Sequence, residues 1–150
     1  MPAGNTIYLE DLAVGDVFVS AEHALDARQI IDFARQYAPQ PFHIDEEAAK
    51  DTFFAGLAAS GWHTAAIPMK LLVQSLPLAR GVIGAGGEIS WPQATRPGDV
   101  LTVSSSVLEI LPSRSKPDRG LVVVQSLTRN QHGEVCQKLV SKVLCFRRHS

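Results

Sequence analysis

The chain has 150 residues, 45% of them hydrophobic and 19% charged, with a formal net charge of −1. That length fits one domain (1–150) with a sizeable core. The near-neutral balance gives no electrostatic reason to expect nucleic acid or an anionic membrane as partner. No apolar run reaches the roughly 18–20 residues that span a bilayer. The first residues, Met1-Pro2-Ala3-Gly4-Asn5-Thr6, carry no signal-peptide pattern. The basic cluster Arg147-Arg148-His149 reads as a solvated tail. Two cysteines, Cys136 and Cys145, fall in one predicted strand. Their odd separation puts them on opposite faces, about 30 Å apart at ~3.3 Å per residue, beyond disulfide reach. Buried, inert thiols in a reducing cytoplasm are the expectation.

In chain order, a loop from Ile7 leads to a short strand at Val17-Phe18-Val19. Asp26 then starts a helix as its N-cap, with Gln29 completing a capping-box pattern. Ile30, Phe33, Ala34 and Tyr37 follow at i, i+3, i+4, i+7 and form one apolar face. Pro39 and Pro41 end this helix, since proline lacks the N–H and disfavours helical geometry in the residue before it. His43 is expected on an ordered loop. Asp45, Glu46 and Glu47 place negative charge at the start of a short helix over about 46–51.

The longest predicted helix runs from Ala59 to Leu76. Its polar residues, Ser60, His63, Thr64, Lys70, Gln74 and Ser75, share an arc of about 140°. The rest is apolar, so the helix should be largely surrounded by protein, with Trp62, Met69 and Leu72 in the core and His63 a satisfied packing residue. Pro68 should kink it and free the Thr64 carbonyl. Strands are then expected at Ile83–Trp91, Val100–Leu111, Leu121–Asn130 and Glu134–Arg147. The breaks Arg96-Pro97-Gly98-Asp99, Lys116-Pro117-Asp118-Arg119-Gly120 and Asn130-Gln131-His132-Gly133 carry turn residues. Short breaks imply antiparallel hairpins, and one apolar helix plus one sheet suggests an α+β fold in which the sheet wraps the helix. Gly84, Gly86 and Gly87 lack dinucleotide-loop spacing and read as close backbone approach in a strand. The histidines and cysteines show no metal-ligand spacing, so no metal is expected.

Three segments are more specific: Phe33-Ala34 followed by Pro39-Gln40-Pro41-Phe42-His43-Ile44-Asp45; Leu57-Ala58-Ala59-Ser60-Gly61; and Trp91-Pro92 with Arg96-Pro97-Gly98-Asp99-Val100-Leu101. Together, over roughly residues 8–147, they resemble the MaoC-like dehydratases, hotdog-fold proteins that include the (R)-specific enoyl-CoA hydratases. The resemblance implies a sheet wrapped on the Ala59–Leu76 helix, a homodimer, and an acyl thioester bound near the subunit interface. It implies a hydro-lyase adding water reversibly across a trans-2-enoyl thioester, with coenzyme A as part of the substrate and no separate cofactor. His43 would supply the imidazole, the Gly61 amide an oxyanion donor and Ser60 a nearby hydrogen bond, with Gln40 and Phe42 toward the substrate. Ser60 reads equally well as an N-cap, and Arg96 as an anchor of its turn.

One position departs from the pattern. The family's aspartate, five residues before the histidine, is Ala38 here. A methyl group neither accepts a proton nor orients water, and losing a positioned acid–base group typically costs about 10²–10⁴-fold. Three explanations are open. The chain is a thioester binder that hydrates poorly, or an engineered form, or another group such as Tyr37, Asp32 or Asp45 substitutes. The alternatives to a hydratase are a non-catalytic acyl-thioester-binding protein on the same fold and, ranked lower, a hotdog thioesterase.

Overall fold

The structure, a computed structural model, describes residues 6–148; Met1–Asn5, His149 and Ser150, and the leader and tail expectations that touch them, lie outside the described residues. After a 3₁₀ turn at Leu9–Asp11 come strands β1 (Val17–Val19) and β2 (His23–Ala24), helices α1 (Ala27–Tyr37), α2 (Pro41–Ile44), α3 (Glu46–Ala49) and α4 (Gly61–Ser75), and strands β3 (Ile83–Ser90), β4 (Val100–Pro112), β5 (Arg119–Arg129) and β6 (Val135–Phe146). The sheet runs β1-β4-β5-β6-β3 with β2 also on β4, and every pairing is antiparallel. The α+β reading holds. No helix of the described residues is long and apolar enough to cross a membrane.

Period-2 alternation makes one face of this sheet a floor. Leu101, Val103, Ser105 and Val107 of β4 are buried, as are Val122, Val124, Ser126 and Thr128 of β5. Helix α4 lies on that floor. Leu72 and Leu76 pack with Val107, Val122, Val124 and Val143 at one end. Ile67 and Leu71 pack with Ile30 of α1 and with Leu101, Val103 and Cys136 at the other. The helix continues through Pro68, which is itself buried.

Several expectations need correction. His43 is not on a loop: Pro41, with its φ pre-set for a first helical turn, opens α2 and carries His43 in it. Asp26 caps α1 through Gln29 N at 2.9 Å, but the Gln29 side chain turns to His23 and to the Ala24 carbonyl, so no reciprocal box forms. Both cysteines are buried on the core side. The pairing shift between Thr128 and Arg129 leaves Cys136 as an extra residue on β6, and this bulge resets the alternation. Burial raises both thiol pKa values, that of Cys145 to about 11, in keeping with inert thiols. The C-terminal arginines are not merely solvated: Arg148 pairs with Asp11 at 2.7 Å and lies 4.8 Å over the Tyr8 ring.

Trp62 and Met69 are not core. One strip of α4, bearing Trp62, Met69 and Val73, is left largely exposed among the described residues. His63 and Thr64, assigned to the polar arc, are buried instead, where α1 packs on α4 and Phe33 stacks on His63. The glycines of β3 behave as expected. A bulge falls between Gly84 and Gly86, and a Cβ on Gly87 would lie 2.5 Å from the Val140 carbonyl oxygen.

Candidate active site

Helix α1 ends at Tyr37, and the chain then turns tightly: Gln40 N donates to Ala38 O at 2.7 Å, and His43 N to Gln40 O at 2.9 Å. The turn drives His43 inward, to 5% exposure. Its Nδ1 lies 2.6 Å from the Ala58 carbonyl oxygen. A carbonyl only accepts, so Nδ1 carries a proton, and in the neutral form of the ring the lone pair is then on Nε2. The same Ala58 residue donates its N–H to Phe42 O at 3.0 Å. Phe42 and Phe54 rings lie 4.6 and 5.9 Å from the imidazole, centroid to centroid.

His43 forms part of the wall of a cavity of about 290 Å³. Phe53, Phe54 and Trp91 supply its aromatic surface, Ala59, Gly61 and Ala94 its small-residue surface, and Thr64, Gln93 and Thr95 its polar atoms. Gly61 is the first residue of α4, so its N–H belongs to the first-turn donors that no helical carbonyl can reach. A histidine and the positive end of a helix thus share one apolar chamber. The glycine has a packing reason as well. A Cβ there would sit 2.9 Å from Cζ2 of Trp91 and 3.0 Å from two further indole atoms, and the indole is held in place by Nε1 donating to Gln137 Oε1 at 2.9 Å.

Of the residues singled out from sequence, His43 and Gly61 meet in this wall. Ser60, Ala38, Gln40 and Phe42 do not line it. Ser60 is the N-cap of α4, its hydroxyl accepting His63 N at 3.1 Å. Gln40 caps α2 with its backbone and is exposed, while Phe42 packs behind the imidazole. Ala38 is the half-buried C-cap of α1. None of the three side chains considered as substitutes lines the cavity. Asp32 is exposed and 3.8 Å from Arg28, Tyr37 is exposed, and Asp45 accepts the Glu47 and Ala48 N–H groups at 2.9 and 3.1 Å as the cap of α3. Among the described residues, His43 is therefore the one titratable side chain in the wall. Phe53, Phe54, Thr64 and Gln93–Thr95 were not anticipated as site residues. Phe53, 95% exposed beside the cavity, is the only one whose exposed bulk marks it out.

Among the described residues no group of three or more His, Cys, Asp or Glu side chains is gathered as a metal site requires. Arg96 proves to be the anchor expected, though of a loop beyond its own turn: its guanidinium donates to the carbonyls of Phe54, Gly56 and Leu57.

An antiparallel sheet carrying one long apolar helix, with a chamber at the helix's N-terminal end, defines a hotdog-fold protein. Residues 12–128 match the MaoC like domain, and the chain belongs to the MaoC-like dehydratase family. It is similar to the MaoC-like dehydratase of Rhodospirillum rubrum, whose crystal structure superposes with a TM-score of 0.94 at 61% identity, covering 96% of this chain and 99% of that one. It is also 32% identical over 126 residues to the uncharacterized protein YdeM of Bacillus subtilis, covering 82% of this chain and 87% of that protein. A 3-hydroxybutyryl-CoA dehydratase of Methylorubrum extorquens is 26% identical over 117 residues, covering 77% of this chain and 73% of the relative.

Proposed function

We propose that the chain binds an acyl thioester of the enoyl-CoA type in the His43 cavity and is a hydratase/dehydratase whose turnover is low because Ala38 replaces the acidic member of the site. The observation that carries this reading is the pairing of a buried imidazole, its Nδ1–H committed to Ala58 O, with the first amide of α4 in one apolar cavity. In the hydration direction, Nε2 of His43 takes a proton from water as the water oxygen bonds to C3 of the trans-2-enoyl group. The C2–C3 π pair moves toward the thioester, and the negative charge gathering on its oxygen is met by the Gly61 N–H. The proton held on Nε2 then passes to C2, and the 3-hydroxyacyl thioester is complete; dehydration runs the same steps backward. One imidazole must do the work of two groups, and nothing acidic holds the water. Coenzyme A enters only as part of the substrate, and a homodimer would cover the open side of α4. The kinship with a 3-hydroxybutyryl-CoA dehydratase supports this substrate class.

A second reading, a non-catalytic acyl-thioester-binding protein, is favoured by the absence of any carboxylate from the cavity wall among the described residues. Hydration of crotonyl-CoA by the chain and by Ala38→Asp separates the two. A rise of about 10²–10⁴-fold on introducing the carboxylate, lost again with His43→Ala, supports the hydratase. Binding by both forms with turnover by neither establishes the binder. Binding by neither removes both readings.

A further inference from the structure

The acceptors of the Arg96 guanidinium are three backbone carbonyls in one short stretch. Nη2 donates to Phe54 O at 2.6 Å, and Nη1 to Gly56 O at 3.1 Å and Leu57 O at 3.2 Å. The stretch is one that would not hold its shape alone: Ala55 has φ +53°, a left-handed conformation uncommon for a residue with a Cβ, and Gly56 has φ +153°. The clamp is itself fixed. Arg96 N donates to Asp99 Oδ2 at 2.8 Å, and the other oxygen of this buried carboxylate accepts Gln131 Nε2 at 3.1 Å.

The clamped stretch ends one residue before Ala58, whose carbonyl takes the Nδ1–H of His43 and whose N–H holds Phe42. On the next residue, Ala59 N donates to the carbonyl of Thr95, the neighbour of Arg96. The guanidinium therefore ties the cavity wall that bears Phe54 to the wall that bears Thr95, and Ala58 stands between them.

We infer that Arg96 is a positioning residue for His43: by gripping the 54, 56 and 57 carbonyls it fixes the Ala58 carbonyl, and that carbonyl in turn fixes which imidazole nitrogen carries the proton. With the clamp released, the carbonyl at 58 is free to swing, the Nδ1–H bond loses its acceptor, and the ring exchanges between its two tautomers. Whenever the ring takes the other tautomer it turns a protonated Nε2, useless as a base, toward the substrate. A lysine at 96 does not reproduce the grip, since a compact ammonium cannot span carbonyls that a planar fork reaches together.

The inference rests on reading His43 as the acid–base group, but its test does not require turnover. The probe is the ¹⁵N spectrum of the full chain labelled at histidine, recorded where the imidazoles are neutral, for the unaltered chain, Arg96→Met and Arg96→Lys. In the unaltered chain the two His43 nitrogens should be widely separated, Nδ1 protonated and Nε2 not. In Arg96→Met they should move toward each other as the tautomers mix, and in Arg96→Lys they should move part of the way. The other histidines should stay put and the backbone amide spectrum should remain folded. A folded Arg96→Met with unmoved His43 resonances overturns the assignment. So does failure of both variants to fold, which would make Arg96 a residue of the fold alone. If the resonances shift as expected yet neither the chain nor Ala38→Asp hydrates crotonyl-CoA, the clamp stands and the catalytic reading falls.

Discussion

His63 stacks flat on Phe33, ring centroids 4.4 Å apart and planes 6° from parallel, and its Nδ1 is buried with no hydrogen-bond partner. The residue is a packing group, as its sequence position suggested, but not a satisfied one. Burial first, and the nearby His23 second, lower its pKa from 6.5 to about 4. His23 accepts from Lys70 Nζ on Nδ1 at 2.6 Å and donates from Nε2 to Gln29 Oε1 at 2.7 Å. Because the folded-state pKa lies below the unfolded one, the unfolded chain takes up a proton that the folded chain refuses between these two values. Stability is therefore full above about pH 6.5, falls as pH drops toward about 4, and levels below that. The loss is at most about 3 kcal/mol from the size of the shift. His63→Phe keeps the stacked ring and removes both the titration and the orphan nitrogen. Urea midpoints at pH 7.5 and pH 5 should show the unaltered chain losing markedly more stability than the variant over that interval. Equal losses would show that His63 does not titrate in this window.

At the scale of the element, α4 carries more apolar surface than its own chain covers. Trp62, Met69 and Val73 recur at i, i+7 and i+11 along one strip and are 64%, 44% and 47% exposed. Trp62 is further fixed edge-on against Trp91 at 5.8 Å. Strand β3 ends the sheet, pairing with β6 on one side and with no strand of the described residues on the other. An open strand edge and an apolar helix strip each invite association unless something covers them. The sequence pattern anticipated this in part, because a helix apolar around most of its circumference needs protein on all sides. What it misassigned was the source of that protein, expected to be the sheet of the same chain. A second copy of the chain would meet the need, as the homodimer proposed above requires. Met69→Glu tests it with little cost to the single chain, whose side chain there already reaches solvent. Light scattering should read twice the chain mass for the unaltered protein and the single mass for the variant, with circular dichroism unchanged. A variant that keeps the doubled mass would move the contact away from α4.

Across the whole molecule, legibility follows locality. The four long strands were readable because β4 and β5 alternate cleanly and because Pro-Gly and Asn-Gln-His-Gly breaks separate them. Strand β2 was not, since two residues carry no period. Nor was the bulge at Cys136, which only the pairing with β5 creates. His43 and Gly61 stood out as parts of short motifs, but the rest of the cavity is assembled from two segments about forty residues apart. Phe53 and Phe54 reach it from the loop gripped by Arg96, and Gln93–Thr95 from the approach to β4, joined by the Ala59–Thr95 hydrogen bond. No local pattern announces such a meeting. Its consequence is that ligand binding should stabilise the chain as a unit, because an acyl thioester in the cavity would touch both segments and the start of α4 at once. At a concentration about 100 times its Kd, a ligand that binds only the folded state adds about 2.7 kcal/mol, and for a chain of this size that raises Tm by about 5–10 °C. Crotonyl-CoA should produce such a rise and free coenzyme A a much smaller one, since the cavity would receive the acyl thioester and not the carrier. Gly61→Ala should erase the difference: its new Cβ would press on the Trp91 indole at 2.9–3.0 Å, and the ring, tethered to Gln137 by its Nε1, can yield only by shifting the wall against which the thioester rests. Equal stabilisation by crotonyl-CoA and by coenzyme A would show that the carrier alone is being bound. An acyl-specific rise that survives Gly61→Ala would place the thioester away from the N-terminus of α4.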